Sequence, residues 1–181
     1  FRRVLFRSLI CGLLFAYGFS IENGHVFTYE APTERTSEPD RRTGASRKIV
    51  DTFTVRSVKD ETTMALWHRY SQELSEYLQK MQTGERREAR GALVKQVAAA
   101  IPVVENASPT LYPVDIEIDN ESSKAYTVLR ITAPDTLGFL YEITNALAYN
   151  RIYIARVSVD STANRAHDIL YVTDANGEKI T

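Results

Sequence analysis

Few residues in this chain have side chains suited to reaction chemistry, and most of those stand alone. His167-Asp168 spells a dipeptide used by metal-dependent phosphohydrolases, but that chemistry needs further ligands, and His25 and His68 are far away in sequence. Val50-Asp51 occupies the same place in an earlier copy of the segment, so no metal site is expected. Cys11 is the single cysteine, which excludes an intramolecular disulfide framework and a Cys/His zinc cluster. With no histidine near it, a buried apolar role is expected rather than a nucleophile. A Gly-Ser nucleotidyltransferase signature and a P-loop are both missing from the sequence. No catalytic residue and no cofactor are therefore expected within these residues.

One segment does carry a binding chemistry. Asp135-Thr136-Leu137-Gly138-Phe139 lies where an alternating strand gives way to a helical pattern. A zwitterionic ligand needs an anion site and a cation site a few ångström apart. Free N–H groups at the positive end of the helix suit a carboxylate, while Asp135 or a strand-end carbonyl suits an ammonium group. Asp135 is also placed to accept from the first-turn N–H groups, and Gly138 would let a ligand approach bare backbone. A valine at 138 is expected to abolish binding while sparing the fold. Asn150 and Ile152 are expected near the same end of the sheet, completing the candidate set. Asp51 and Asp168 each open a strand, where a scaffold role is expected: accepting N–H groups from the preceding turn.

The elements that must position these residues come in two copies. At an offset of 133, Ile10, Leu14, Phe19, Ile21, Val26 and Thr28 fall opposite Ile143, Leu147, Ile152, Ile154, Val159 and Ser161. At an offset of 117, Asp51-Thr-Phe-Thr-Val55 falls opposite Asp168-Ile-Leu-Tyr-Val172, which places a 16-residue insertion in the first copy, between Glu30 and Arg47. Its charges and prolines predict a mobile loop. The second copy reads as a strand over 125–133, a helix over 139–149, strands over 151–161 and 167–173, and turns at 162–165 and 174–177. A hairpin partner for its first strand is expected at 114–118. Strand, helix, strand, strand is the first two thirds of a ferredoxin-like βαββαβ unit, an α+β fold with helices on one face of an antiparallel sheet.

Between the copies the texture is helical. Asp60 can cap a helix with the stripe Trp67, Tyr70, Leu74, Tyr77, Leu78 and Met81. A second helix over 85–101 is expected to turn Leu93, Val94, Val97 and Ile101 inward and Arg86, Arg87 and Arg90 outward, ending at Pro102.

Composition removes other classes. The chain has 181 residues, 22 Lys and Arg against 23 Asp and Glu, and a formal charge of −1, so nothing points to nucleic acid or an anionic membrane. A basic start followed by an 11-residue apolar run has the outline of a secretory signal, but the run is repeated downstream and is shorter than the roughly 20 residues a bilayer span needs. A cytoplasmic location is expected. Residues 1–7 resemble a translated sequencing adapter and are read as a non-native start.

Taken together, Ala-Pro-Asp135-Thr-Leu-Gly138-Phe-Leu, Leu147-Ala-Tyr-Asn-Arg-Ile152-Tyr-Ile154 and His167-Asp168-Ile-Leu-Tyr-Val172-Thr-Asp resemble a tandem pair of ACT domains, small amino-acid-binding regulatory modules. With Asp119-Asn-Glu-Ser-Ser-Lys-Ala-Tyr-Thr-Val-Leu the chain is similar to the C-terminal region of the bifunctional PII uridylyltransferase/uridylyl-removing family. The family turn reads Asp-Arg-Pro-Gly-Leu-Leu; here the Asp and Gly remain and the Arg and Pro do not. The resemblance implies module 1 over 8–60 lacking its first strand and carrying the insertion 30–47, a helical segment 61–104, a linker 105–113, and module 2 over 114–181 lacking its last helix and strand. It implies glutamine as ligand, catalytic domains upstream on the same chain, and pairing of ACT modules within or between chains. The resemblance leaves open a regulatory region of another enzyme, such as one of glutamine synthetase adenylyltransferase type, and a ligand-free dimerisation module.

Overall fold

A computed structural model describes residues 2–30, 47–58, 64–101 and 113–180. The expected insertion loop, the Asp60 cap and most of the 105–113 linker lie outside the described residues. The elements are α1 (Arg2–Ala16), β1 (Phe19–Glu30), β2 (Arg47–Ser57), α2 (Met64–Thr83), α3 (Arg86–Ala100), β3 (Asp115–Asp119), β4 (Thr127–Pro134), α4 (Phe139–Tyr149), β5 (Tyr153–Thr162) and β6 (Arg165–Thr173). The strands form one six-stranded sheet in the order β2-β1-β5-β6-β4-β3, antiparallel throughout.

The repeat persists down to individual hydrogen bonds. Ile21 pairs with Val55 and Asn23 with Thr54 across a bulge; Ile154 pairs with Val172 and Arg156 with Tyr171 across the corresponding bulge in the second copy. Both helices end alike, with Gly18 N–H donating to Phe15 O and Arg151 N–H to Ala148 O, and both Gly18 and Arg151 have positive φ, 79° and 59°. Residues 163–164, with φ of 53° and 62°, close β5 onto β6 in a two-residue turn whose twist suits a hairpin.

The two copies join edge to edge through β1 and β5. Their ladder runs from Asn23–Asp160 to Phe27–Arg156, and at its centre His25 pairs with Ser158, its own counterpart at the 133-residue offset. A pseudo-twofold axis therefore passes through that pair, as in an isologous dimer interface drawn within one chain. The two modules thus share one continuous sheet.

Strand alternation sends Val26, Ile131, Ala133, Val157, Val159, Leu170 and Val172 to one face, where Cys11 of α1 and Phe139 and Leu140 of α4 cover them. The other face of α1 is covered as well. Leu9, Leu13 and Phe15 meet Tyr77 and Met81 of α2 and Ala89, Leu93 and Val97 of α3. This accounts for the apolar run of α1: a helix buried on two sides must be apolar nearly all round. Gly12 admits the ring of Tyr141, which would lie 2.8 Å from a Cβ at that position. Phe19 stacks on Trp67 at 4.5 Å and 17°, tying β1 to α2.

The inward stripe of α3 differs from the expectation. Ala89, Leu93 and Val97 are buried, whereas Val94 and Ile101 are 50% and 43% exposed. The contact with α1 is narrow enough to take one i, i+4, i+8 row.

Candidate functional site

Between the modules a narrow cleft with a cavity volume of about 20 Å³ is bounded on one side by Cys11, Phe15, Phe19 and Ser20 of module 1. On the other lie Asp135, Thr136, Gly138 and Phe139, with Ser161 and Asp168 from the neighbouring strands. The structure brings four of the seven sequence-derived candidates to this cleft. Leu137 turns away and lines a different hollow with Arg69, Glu73 and Gln96.

Asn150 and Ile152 are not in the cleft. Asn150 caps the far end of α4, its amide donating to Ala146 O at 2.9 Å, and Ile152 packs into the core. The 11-residue helix puts roughly 16 Å between them and the turn. Their counterparts in module 1, Tyr17 and Phe19, lie at the end of α1 that faces the turn, and Phe19 lines the cleft. The pseudo-twofold axis sends Asn150 and Ile152 toward the start of α1 instead, where Arg7 donates to Ile154 O.

Asp135 does not cap α4. Gly138 is the N-cap, at φ +91°, and no side chain bonds to the first-turn N–H groups. The Asp135 carboxylate instead accepts from Ser161 Oγ, and its N–H donates to Asn164 O at 2.9 Å. The helix start is thereby left without a side-chain cap beside the cleft, which keeps its partial positive charge available. Gly138 is not bare, because a Cβ there would meet the Phe15 ring at 2.9 Å, and its positive φ disfavours any other residue. A valine at 138 would thus disturb the fold as well as the cleft, contrary to the expectation from sequence.

The scaffold role expected for Asp51 and Asp168 is also overturned. Both stand inside strands, and none of their carboxylate oxygens has a hydrogen-bond partner. On β6 the inward positions are Ala166, Asp168, Leu170 and Val172, so Asp168 is the one charge in an apolar row, 1% exposed. Burial, and then the nearby Asp135 carboxylate, push Asp168 up to about 7; the Asp160 amide relieves part of this without reaching hydrogen-bond geometry. Asp51 is raised by burial too, but the Arg7 guanidinium draws it back down. Arg7 lies in the segment read from sequence as a non-native start, and it is 2% exposed in the helix. Cys11 sits among these groups, and burial followed by the Asp51 charge pushes its thiol up to about 12. The signal for Asp168 was present in the sequence as a charged residue at an inward strand position.

Among the described residues no group of three or more His, Cys, Asp or Glu is placed to hold a metal ion, and no helix is long and apolar enough to cross a membrane. His167 faces away from Asp168 across the sheet, 3.5 Å from Thr132 Oγ1 through its Nδ1.

Residues 115–181 match the family model of the ACR9-like, ACT-like domain. The chain is 30% identical over 141 residues to the bifunctional uridylyltransferase/uridylyl-removing enzyme of Bradyrhizobium diazoefficiens, covering 75% of this chain and 15% of that protein. It is 39% identical over 67 residues to the enzyme of the same name from Rhodopseudomonas palustris, and 38% identical over 69 residues to that of Cereibacter sphaeroides, covering 37% and 38% of this chain and 7% of each relative. The chain thus spans about one seventh or less of the length of these curated relatives. No solved structure matches it significantly. Fold, family match and relatives agree: residues 115–181 form an ACT-like domain, and the chain is related to the bifunctional uridylyltransferase/uridylyl-removing enzymes.

Proposed function

We propose that this region senses a small amino acid, glutamine, and controls a nucleotidyltransferase acting on a PII-type signalling protein, together with the uridylyl-removing activity of the same enzyme. The observation that carries the reading is the place of the cleft: one wall belongs to module 1 and the other to the strand-to-helix turn of module 2. A ligand held between parts of both modules has a different affinity for each relative arrangement of α1 and the turn. Occupancy then shifts the population of arrangements and, through the chain, the attached catalytic domains. The Phe15 ring lies against Gly138, so a ligand that reaches the helix start must displace that ring.

Titration calorimetry of the chain with L-glutamine, L-glutamate and the other common amino acids tests this. One amino acid should bind, and at a hundred times its dissociation constant it should stabilise the fold by about 2.7 kcal/mol. Failure of every amino acid to bind would refute the reading.

A further inference from the structure

The cleft contains a carboxylate that the fold leaves without a partner. Asp168 lines the cleft, is 1% exposed, and neither of its oxygens has a hydrogen-bond partner among the described residues. A buried charge in that state is unfavourable until a proton or a cation reaches it. Among the described residues, no lysine, arginine or histidine lines the cleft. The titratable groups described near Asp168 are the Cys11 thiol on α1, Asp135 in the turn and Asp160 on β5, with Tyr141 of α4 also lining the cleft, and none of them supplies positive charge. Asp51, its counterpart in module 1, has the Arg7 guanidinium near it; the position in module 2 that corresponds to Arg7 is Leu140. The other wall of the cleft is the start of α4, which has no side-chain cap and favours an anion. Two sub-sites of opposite polarity thus share one opening.

Resting on the amino-acid-sensing reading of this cleft, we propose that Asp168 accepts the protonated α-amine of the ligand while the start of α4 takes its carboxylate. The site thereby selects α-amino acids over the same acids without the amine. Asp135, already engaged by Ser161, adds negative charge that attracts the ammonium group and opposes ionisation of Asp168 while the site is empty. Asp168 must be ionised to do this, so binding releases a proton wherever the empty site is protonated, and affinity rises with pH through the neutral range.

The test measures calorimetric binding of L-glutamine and of glutaramic acid, which keeps the amide and carboxylate but lacks the α-amine, to the chain and to its Asp168→Asn variant. The proposal expects glutamine to bind the native chain at least tenfold more tightly than glutaramic acid. Asp168→Asn should weaken glutamine at least tenfold and leave glutaramic acid unchanged. Glutamine affinity should rise between pH 6 and pH 8 in the native chain and stay flat in the variant. Equal binding of the two ligands by the native chain would overturn the proposal without any need for the variant to fold. So would glutamine binding to a folded variant with native affinity. Either result leaves amino-acid sensing standing, whereas no binding of any amino acid by the native chain removes both.

Discussion

Replacing Asp168 with asparagine should make the ligand-free protein more stable at neutral and alkaline pH. The carboxyl has its ordinary value of 3.8 in the unfolded chain and about 7 in the fold. Between those values the native state holds a proton that the unfolded state lacks. Stability therefore falls as pH rises through this window, and the loss is complete above the folded value. Three powers of ten in acidity correspond to on the order of 4 kcal/mol at pH 8 and about 1.7 kcal/mol at pH 5. Asparagine keeps the shape and drops the charge, while its buried amide costs about 1–3 kcal/mol at every pH. That constant term cancels when the two proteins are compared at two pH values. Urea unfolding of both at constant ionic strength should show the variant gaining on the native chain by about 2–3 kcal/mol between pH 5 and pH 8. A difference that does not change with pH, or that changes in the opposite sense, refutes the assignment of an unpartnered carboxylate. The same substitution weakens glutamine binding in the proposal above, so stability and function move in opposite directions at this one residue.

Other perturbations follow from the same geometry. Cys11, 3% exposed and pushed up to about 12, should react with a thiol reagent at pH 8 only as fast as the protein opens; labelling at the rate of a free thiol would contradict its placement. Leu13→Ala, at a fully buried site between α1 and the α2–α3 pair, should cost about 2–5 kcal/mol in chemical denaturation. Glu73 accepts from Tyr17 Oη at 2.7 Å and from Gln96 Nε2, while Gln96 Oε1 accepts from Tyr77 Oη at 3.0 Å; Glu73→Ala should cost about 1–2 kcal/mol by the same measurement. Gly138→Ala meets both a positive φ and the Phe15 ring, so its stability should fall by about 1–3 kcal/mol even without ligand, and a neutral result would mean that Phe15 moves freely.

Much of this architecture was legible in the residues. The order of elements, the hairpin from 115 to 134, the helix over 139–149 and the repeat depend on local periodicity and turn chemistry, which a chain carries in its own sequence. What could not be read was anything decided by a neighbour distant in sequence. Val94 and Ile101 share the apolar face of α3 with Leu93 and Val97, yet α1 covers only one row of it. Asn150 and Ile152 were expected near the same end of the sheet as the turn, whereas they lie beyond the far end of α4, and the β1–β5 ladder brings Phe19 of the other copy to the cleft.

Sequence by itself settled the repeat, the α+β class and the turn at Asp135–Gly138, because spacing of apolar residues and the freedom of glycine act within a few positions of the chain. Tertiary structure alone decided that the two copies share one sheet about an axis through His25 and Ser158, that Phe15 lies over Gly138, and that Asp168 faces the cleft without a partner. The physical reason is range. Periodicity and turn preference are local, whereas burial and the presence or absence of a counter-charge are set by whichever segment packing brings alongside.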